Sequence, residues 1–129
     1  MNSKDFVPHN IALEMKSLGF NEPCFGRWLI ITEWGTPTGE IRLQIGAKAE
    51  DYDKEQFHAP TFSQCFRWFR EKHMLSSGVY NSDIGKYFYA ILQNGRIVKA
   101  NESSITYEGA ELDCLIKLIE IVKQQSNEN

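Results

Sequence analysis

The stretch that constrains this chain most runs from Ala59 to His73, because it predicts one strongly amphipathic helix. Thr61 and Gln64 form the pattern of a capping box directly after Pro60, which is typical of a helix start. The residues that share one face of a 3.6-residue period are Phe62, Cys65, Phe66, Phe69 and His73. Each phenylalanine contributes roughly 1.5–3 kcal/mol when it is fully buried. The sequence therefore predicts a core built around this helix.

Length and charge indicate an ordinary globular chain. Its 129 residues suit a single domain over 1–129, with a loose arm at 1–8 and a frayed tail at 125–129. The net charge of −3 argues against a protein whose whole surface binds nucleic acid. There is no signal-peptide pattern and no apolar run of about 20 residues. We therefore expect a cytoplasmic protein with reduced thiols and no membrane contact.

Periodicity predicts an α+β fold with the order α-β-β-α-β-β-α and an antiparallel four-stranded sheet, made from two hairpins and packed with three helices. The stretches 48–58 and 75–85 break every period and are predicted as loops. Asn94-Gly95 is a strong signal for a two-residue hairpin turn, which pairs Leu92 with Ile97 and Ile91 with Val98. The predicted elements are helix 10–18, strands 27–34 and 40–45, helix 61–75, strands 86–93 and 96–100, and helix 107–123.

The last helix has an unusually broad apolar arc. Thr106 is its predicted N-cap, and Glu108 and Glu111 suit the positive end of its dipole. Leu118 and Ile121 widen the arc to more than half of the circumference. This breadth indicates either deep packing or a homodimer through helix 107–123.

No pattern in the sequence indicates a metal, a cofactor or a catalytic residue. Glycine-rich phosphate loops and the G-x-S-x-G turn are absent. The isolated ligand types are His9, His58, His73, Cys24, Cys65 and Cys114, none of which has the paired spacing of a zinc site. Glu50, Asp51 and Asp53 lack the spaced pattern of a calcium loop. An enzyme with an unrecognised site, near Cys24 or in the 50–53 loop, remains a second alternative.

The outer face of the central helix is the predicted partner-binding surface. Arg67, Trp68, Arg70 and Lys72 combine cations with an aromatic ring, and arginine and tryptophan are enriched at the centres of protein interfaces. The favoured hypothesis is a non-enzymatic protein that binds another protein. The alternative is nucleic-acid binding through the basic outer face of helix 61–75, which would weaken steeply with salt.

Four segments resemble a family of small uncharacterised proteins from prophages and mobile elements of gut bacteria. They are Leu18–Cys24, Ala59–Lys72, Tyr87–Gly95 and Thr106–Leu112, and together they span most of the chain after residue 11. The resemblance implies an intracellular accessory protein of a mobile element. It transfers no catalytic residue, because the family has no assigned activity. Gly109 departs from the helix former expected at its position and implies a looser first turn.

Overall fold

The computed structural model describes residues 2–46, 54–82 and 84–127. Within these ranges the chain forms three α-helices and two three-stranded antiparallel sheets, so the fold is α+β as predicted. It divides into two compact units, Met1–Thr61 and Phe62–Asn129. The single domain over 1–129 stays a prediction, since two compact units can belong to one domain. Across the described ranges, every helix is too short or too polar to cross a membrane.

The first unit contains one helix and one sheet. Its elements are α1 (His9–Ser17), β1 (Gly26–Glu33), β2 (Thr36–Ile45) and β3 (Lys54–Ala59). The strand order is β2-β1-β3, with both pairs antiparallel. The β-branched and aromatic run of β1 thus forms the central strand of its sheet, as its apolar composition favours.

The loop predicted at 48–58 is wrong from residue 54 onward, where strand β3 forms. Its register with β1 runs from Gly26 opposite Ala59 to Ile31 opposite Lys54. The charged start of β3 hides the period of two, so only pairing with β1 selects the extended conformation. Residues 47–53, with the carboxylates Glu50, Asp51 and Asp53, lie outside the described residues.

The N-terminal arm, predicted as loose, is instead packed against its unit. A short 3-10 helix, Ser3–Asp5, carries a capping box. Phe6 forms an isolated antiparallel bridge with Thr61. The side chains of Phe6 and Val7 are only 4% and 0% exposed, so two apolar residues tie the arm down.

The second unit contains two helices and the other sheet. Its elements are α2 (Phe62–His73), β4 (Leu75–Asn81), β5 (Tyr87–Gln93), β6 (Arg96–Ser104) and α3 (Tyr107–Asn127). The strand order is β4-β5-β6, and α3 packs on all three strands while α2 packs on β4 and α3. In the described residues the two predicted hairpins therefore belong to separate sheets, so the merged four-stranded sheet is wrong.

Strand β4 occupies most of the predicted loop at 75–85. It begins one residue after α2, because Met74 reverses the chain with a positive φ of 57°. In the adjacent hairpin the predicted pairing of Leu92 with Ile97 is confirmed. Ile91 instead faces Lys99, because a bulge shifts the register at this point.

Helix α3 begins as predicted and ends later. The Gly109 N–H donates to Thr106 Oγ1 at 3.1 Å, which confirms Thr106 as the cap. The helix continues to Asn127, and the Gln125 side chain donates to Gln93 Oε1 at 3.3 Å, so the described part of the predicted frayed tail is helical. Leu118 is fully buried in the single chain, which removes it from the predicted homodimer surface.

Candidate functional site

On the predicted partner-binding surface of α2, the cationic side chains are exposed but the aromatic ring is buried. Arg67, Arg70 and Lys72 are exposed. Trp68 is only 4% exposed, and its ring packs edge-on against Phe69 at 5.1 Å between centroids. Trp68 therefore belongs to the core of its unit and not to the exposed face of α2. The buried arc of α2 is rotated toward Cys65 and Trp68, which leaves Phe66 half-buried at its margin.

This margin opens into a groove of about 320 Å³ where α2 and α3 meet β4, here called the α2–α3 groove. Helix α2 lines it with Ser63, Phe66 and Arg70. Their spacing of i, i+3 and i+7 places all three on one side of the helix. Arg70, one of the predicted binding residues, thus belongs to a concave site within the second unit.

Strand β4 forms another wall of the groove. Three consecutive residues, Ser77, Gly78 and Val79, line it. Ser77 and Val79 point to the same face of the strand, and Gly78 between them has no side chain to cover its backbone. Gly78 supplies no side chain, and a Cβ there would lie 2.8 Å from Tyr80 Cζ. The groove therefore meets main-chain groups at Gly78.

Helix α3 contributes a face with the same periodicity as α2. Tyr107, Glu111 and Cys114 line the groove at i, i+4 and i+7. The cap positions the first of them, because Thr106 begins the helix at Tyr107. Gly109 permits this close start: a Cβ there would lie 2.9 Å from Thr106 Oγ1. The glycine that looked like a poor helix former thus makes room for the cap.

The charged groups of the groove are not equivalent. Arg70 forms no hydrogen bond or ion pair with any residue of the described ranges. Glu111 accepts a hydrogen bond from the Tyr107 hydroxyl. Burial raises the pKa of Tyr107, and the charge of Glu111 and this hydrogen bond raise it further. The groove therefore presents one uncompensated cation beside the rings of Phe66 and Tyr107.

Cys114 is a buried thiol at the base of the groove. Burial raises its pKa to about 11, while a hydrogen bond from the Ser77 hydroxyl acts in the opposite direction. The reactive form of cysteine is the thiolate. At neutral pH this side chain is accordingly a small apolar group with a neutral thiol, and it contributes packing rather than nucleophilic chemistry.

The other candidate ligands are dispersed. Within the described residues no three His, Cys, Asp or Glu side chains lie close enough together to hold a metal ion. His9 packs against the Trp28 ring at 5.5 Å, and His73 packs against the Trp68 ring at 4.9 Å. Burial lowers the pKa of His73. The half-buried Cys24 thiol donates to the Glu22 carbonyl at 3.3 Å.

The sequence predicts Arg70 as a binding residue but not most of the residues around it in the groove. Phe66 was assigned to the core, and Ser77, Gly78 and Val79 were assigned to a loop. The available signal was the helical spacing of the lining residues, which is i, i+3, i+7 in α2 and i, i+4, i+7 in α3. No protein-family model, curated protein or solved structure matches this chain, so its function must be inferred from the geometry of the groove.

Proposed function

We propose that this chain is a protein-binding module that takes an extended segment of its partner into the α2–α3 groove, where the segment adds a strand to the edge of β4. One observation carries the proposal: three consecutive residues of an edge strand, with a glycine in the middle, line the groove. In strand addition, main-chain hydrogen bonds supply affinity and pockets for alternate side chains supply specificity. The setting is an intracellular accessory role in a mobile element, as the sequence resemblance suggests.

The sequence of β4 lacks the residues that commonly guard an edge strand. Proteins commonly guard edge strands with charged side chains, prolines or bulges. Strand β4, Leu75–Asn81, contains neither a charged residue nor a proline. The opposite edge strand, β6, carries Arg96 and Lys99 and contains bulges. In an antiparallel pair, every second residue of β4 directs its N–H and C=O away from β5 and toward an incoming strand.

Side chains around this edge indicate what the segment carries. Arg70 has no counter-charge in the described residues and suits a carboxylate, which arginine binds through two parallel hydrogen bonds. Phe66 and Tyr107 offer aromatic surface for an apolar neighbour of that acid. The partner segment is therefore extended and carries an acidic residue next to an apolar one.

Nucleic acid is the weaker candidate for the same surface. Arg67, Arg70 and Lys72 are exposed, but Glu71 is exposed among them. Carboxylates repel a phosphate backbone, and the chain carries a net charge of −3. A nucleic acid also makes no use of the strand edge.

Panning a phage-displayed library of random peptides on the full chain tests the proposal. We expect acidic, apolar peptides whose binding is reduced at least about tenfold by Arg70→Ala, since a charged hydrogen-bonded pair contributes about 1.5–3 kcal/mol. Lys72→Ala, an exposed cation of α2 outside the groove, is the matched control and leaves binding unchanged. Peptides that bind both variants equally, or salt-sensitive capture of DNA or RNA oligonucleotides in their place, would contradict the proposal.

A second measurement separates strand addition from other modes of docking. A selected peptide is resynthesised with a single N-methyl group at each position in turn. Strand addition predicts an alternating pattern, because only every second amide of the peptide donates to β4. A flat profile with retained dependence on Arg70 would leave protein binding intact and refute the added strand.

A further inference from the structure

A second cleft, of about 340 Å³, lies within the first unit beside α1 and β3 and is here called the α1–β3 cleft. Lys16, Arg27 and His58 line it. Its apolar wall consists of Ala12, Phe20 and Phe57. This volume falls in the range of about 300–1,000 Å³ that is typical of small-molecule sites. None of its residues belongs to the α2–α3 groove.

The fold brings the three basic side chains together from three elements. In the register of β1 and β3, Arg27 lies directly opposite His58 and on the same face of the sheet. On α1, Lys16 follows Ala12 by one turn, so both face the cleft. Strand pairing therefore places Arg27 beside His58, and Lys16 lines the same cleft from α1.

The end of α1 places an aromatic ring over the same cleft. Gly19 has a φ of 101°, and its N–H donates to the Lys16 carbonyl at 3.0 Å. The Phe20 N–H donates to the Met15 carbonyl at 3.1 Å, which completes the paired hydrogen bonds of a Schellman cap. This cap holds Phe20 against the body of its unit, where its ring is buried.

The cleft has positive charge without compensation. In the described part of the chain, Lys16, Arg27 and His58 form no hydrogen bond or ion pair with one another or with other side chains, and no carboxylate lines the cleft. The chain as a whole has 17 acidic residues against 14 lysines and arginines, so such a cluster is not a consequence of composition. A bound anion would compensate the charges of Lys16 and Arg27.

We propose that the α1–β3 cleft binds a small phosphate ester, with the phosphate between Lys16, Arg27 and His58 and an apolar or planar body against Phe20. Phosphate suits the site better than carboxylate, because its oxygens accept from three separate donors and its charge approaches −2. Arginine supplies a two-pronged donor, lysine a point charge and histidine a ring N–H. The apolar wall adds binding for the body of the ester that inorganic phosphate lacks.

Calorimetric titration of the full chain tests this site with three probes: phenyl phosphate, inorganic phosphate and phenol. We expect saturable binding of phenyl phosphate, about tenfold weaker binding of inorganic phosphate and weaker binding still of phenol. Lys16→Gln, an exposed change on α1, and Arg27→Gln each reduce the affinity for phenyl phosphate about tenfold or more. The matched control Lys4→Gln, an exposed cation of the same unit outside the cleft, leaves it unchanged.

Three results would overturn the proposal. They are the absence of saturable binding of phenyl phosphate, equal affinity in the Lys16→Gln and Lys4→Gln variants, and equal affinity for phenol and phenyl phosphate. Lys16→Gln keeps the test decisive if Arg27→Gln disturbs the central strand. Arg70→Ala leaves phenyl phosphate binding unchanged, so this site and the α2–α3 groove are tested independently.

Discussion

Replacing Trp34 by asparagine is expected to stabilise the protein, although it removes a large apolar side chain. Trp34 and Gly35 form the turn between β1 and β2, with φ values of 55° and 79°. The turn between β5 and β6 has nearly the same geometry, with φ values of 56° at Asn94 and 76° at Gly95. Positive φ at both positions is typical of a type I′ turn, for which Asn-Gly is strongly preferred.

The two contributions to Trp34→Asn differ in size. Left-handed backbone costs roughly 1–2 kcal/mol for most residues, and asparagine avoids much of this cost. Trp34 is 95% exposed, so it buries only about a twentieth of its surface. At about 25 cal/mol per Å² and roughly 250 Å² for the side chain, the loss of burial is about 0.3 kcal/mol. We expect a net gain of about 0.5 kcal/mol.

Urea unfolding of wild type, Trp34→Asn and the reciprocal Asn94→Trp measures this difference. The gain corresponds to an increase in Tm of about 2 °C, and Asn94→Trp is expected to lose a similar or larger amount. Opposite signs for the two changes would show that turn geometry dominates. A loss of stability in Trp34→Asn would contradict this prediction, because it would show that the indole makes a stabilising contact.

Three further predictions concern the second unit. Burial raises the pKa of Cys114 to about 11, so the stability that its neutral thiol contributes is complete below the unfolded-chain pKa of about 8.5 and is lost as the pH rises toward 11. Cys114→Ala should therefore reduce the fall in unfolding free energy at alkaline pH by up to about 1.4 kcal/mol per pH unit, and an unchanged slope would contradict this. Leu118→Ala should lower the free energy of unfolding by about 2–5 kcal/mol because Leu118 is fully buried, whereas the exposed control Leu13→Ala should lower it by less than about 0.5 kcal/mol. Similar losses in the two variants would show that Leu118 is not buried in the core. Gly109→Ala should raise the free energy of unfolding by less than the gain of about 1 kcal/mol that is usual in a helix, because the added Cβ would lie only 2.9 Å from Thr106 Oγ1. A full gain would show that the cap can shift to make room for it.

Sequence periodicity correctly predicted the elements that are stabilised by contacts between residues close together in the sequence. Helix α3 begins at its predicted cap, because Thr106 can satisfy the first-turn amides within a few residues. The turn at Asn94-Gly95 forms for the same local reason. Helix α2 also forms as predicted, with ends at Phe62 and His73.

The two missed strands depend on pairing that is distant in sequence. Strand β3 begins with charged residues, and β4 contains Ser76, Ser77 and Gly78, so neither shows a clear period of two. Each becomes extended because a neighbouring strand offers a complete ladder of hydrogen-bond partners. With β3 and β4 missing, two hairpins looked like one sheet, and the actual two sheets were not foreseen.

Only the part of the candidate site that lies on the polar side of α2 could be predicted. Arg70 follows from the polar side of α2. Trp68 was assigned to the same side, because helical phase alone does not fix which margin of an amphipathic helix is buried. The strand edge at Gly78 could not be predicted, since a glycine in a presumed loop carries no side-chain signal.

Amide hydrogen exchange along β4 shows directly whether a bound segment adds a strand to this edge. The exchange rates of Leu75–Asn81 are measured in the free protein and in complex with a peptide selected on the wild-type chain. Strand addition predicts slower exchange at alternate β4 amides in the complex, with the amides of the other edge strand, β6, unchanged. Binding of the peptide without added protection in β4 would contradict it.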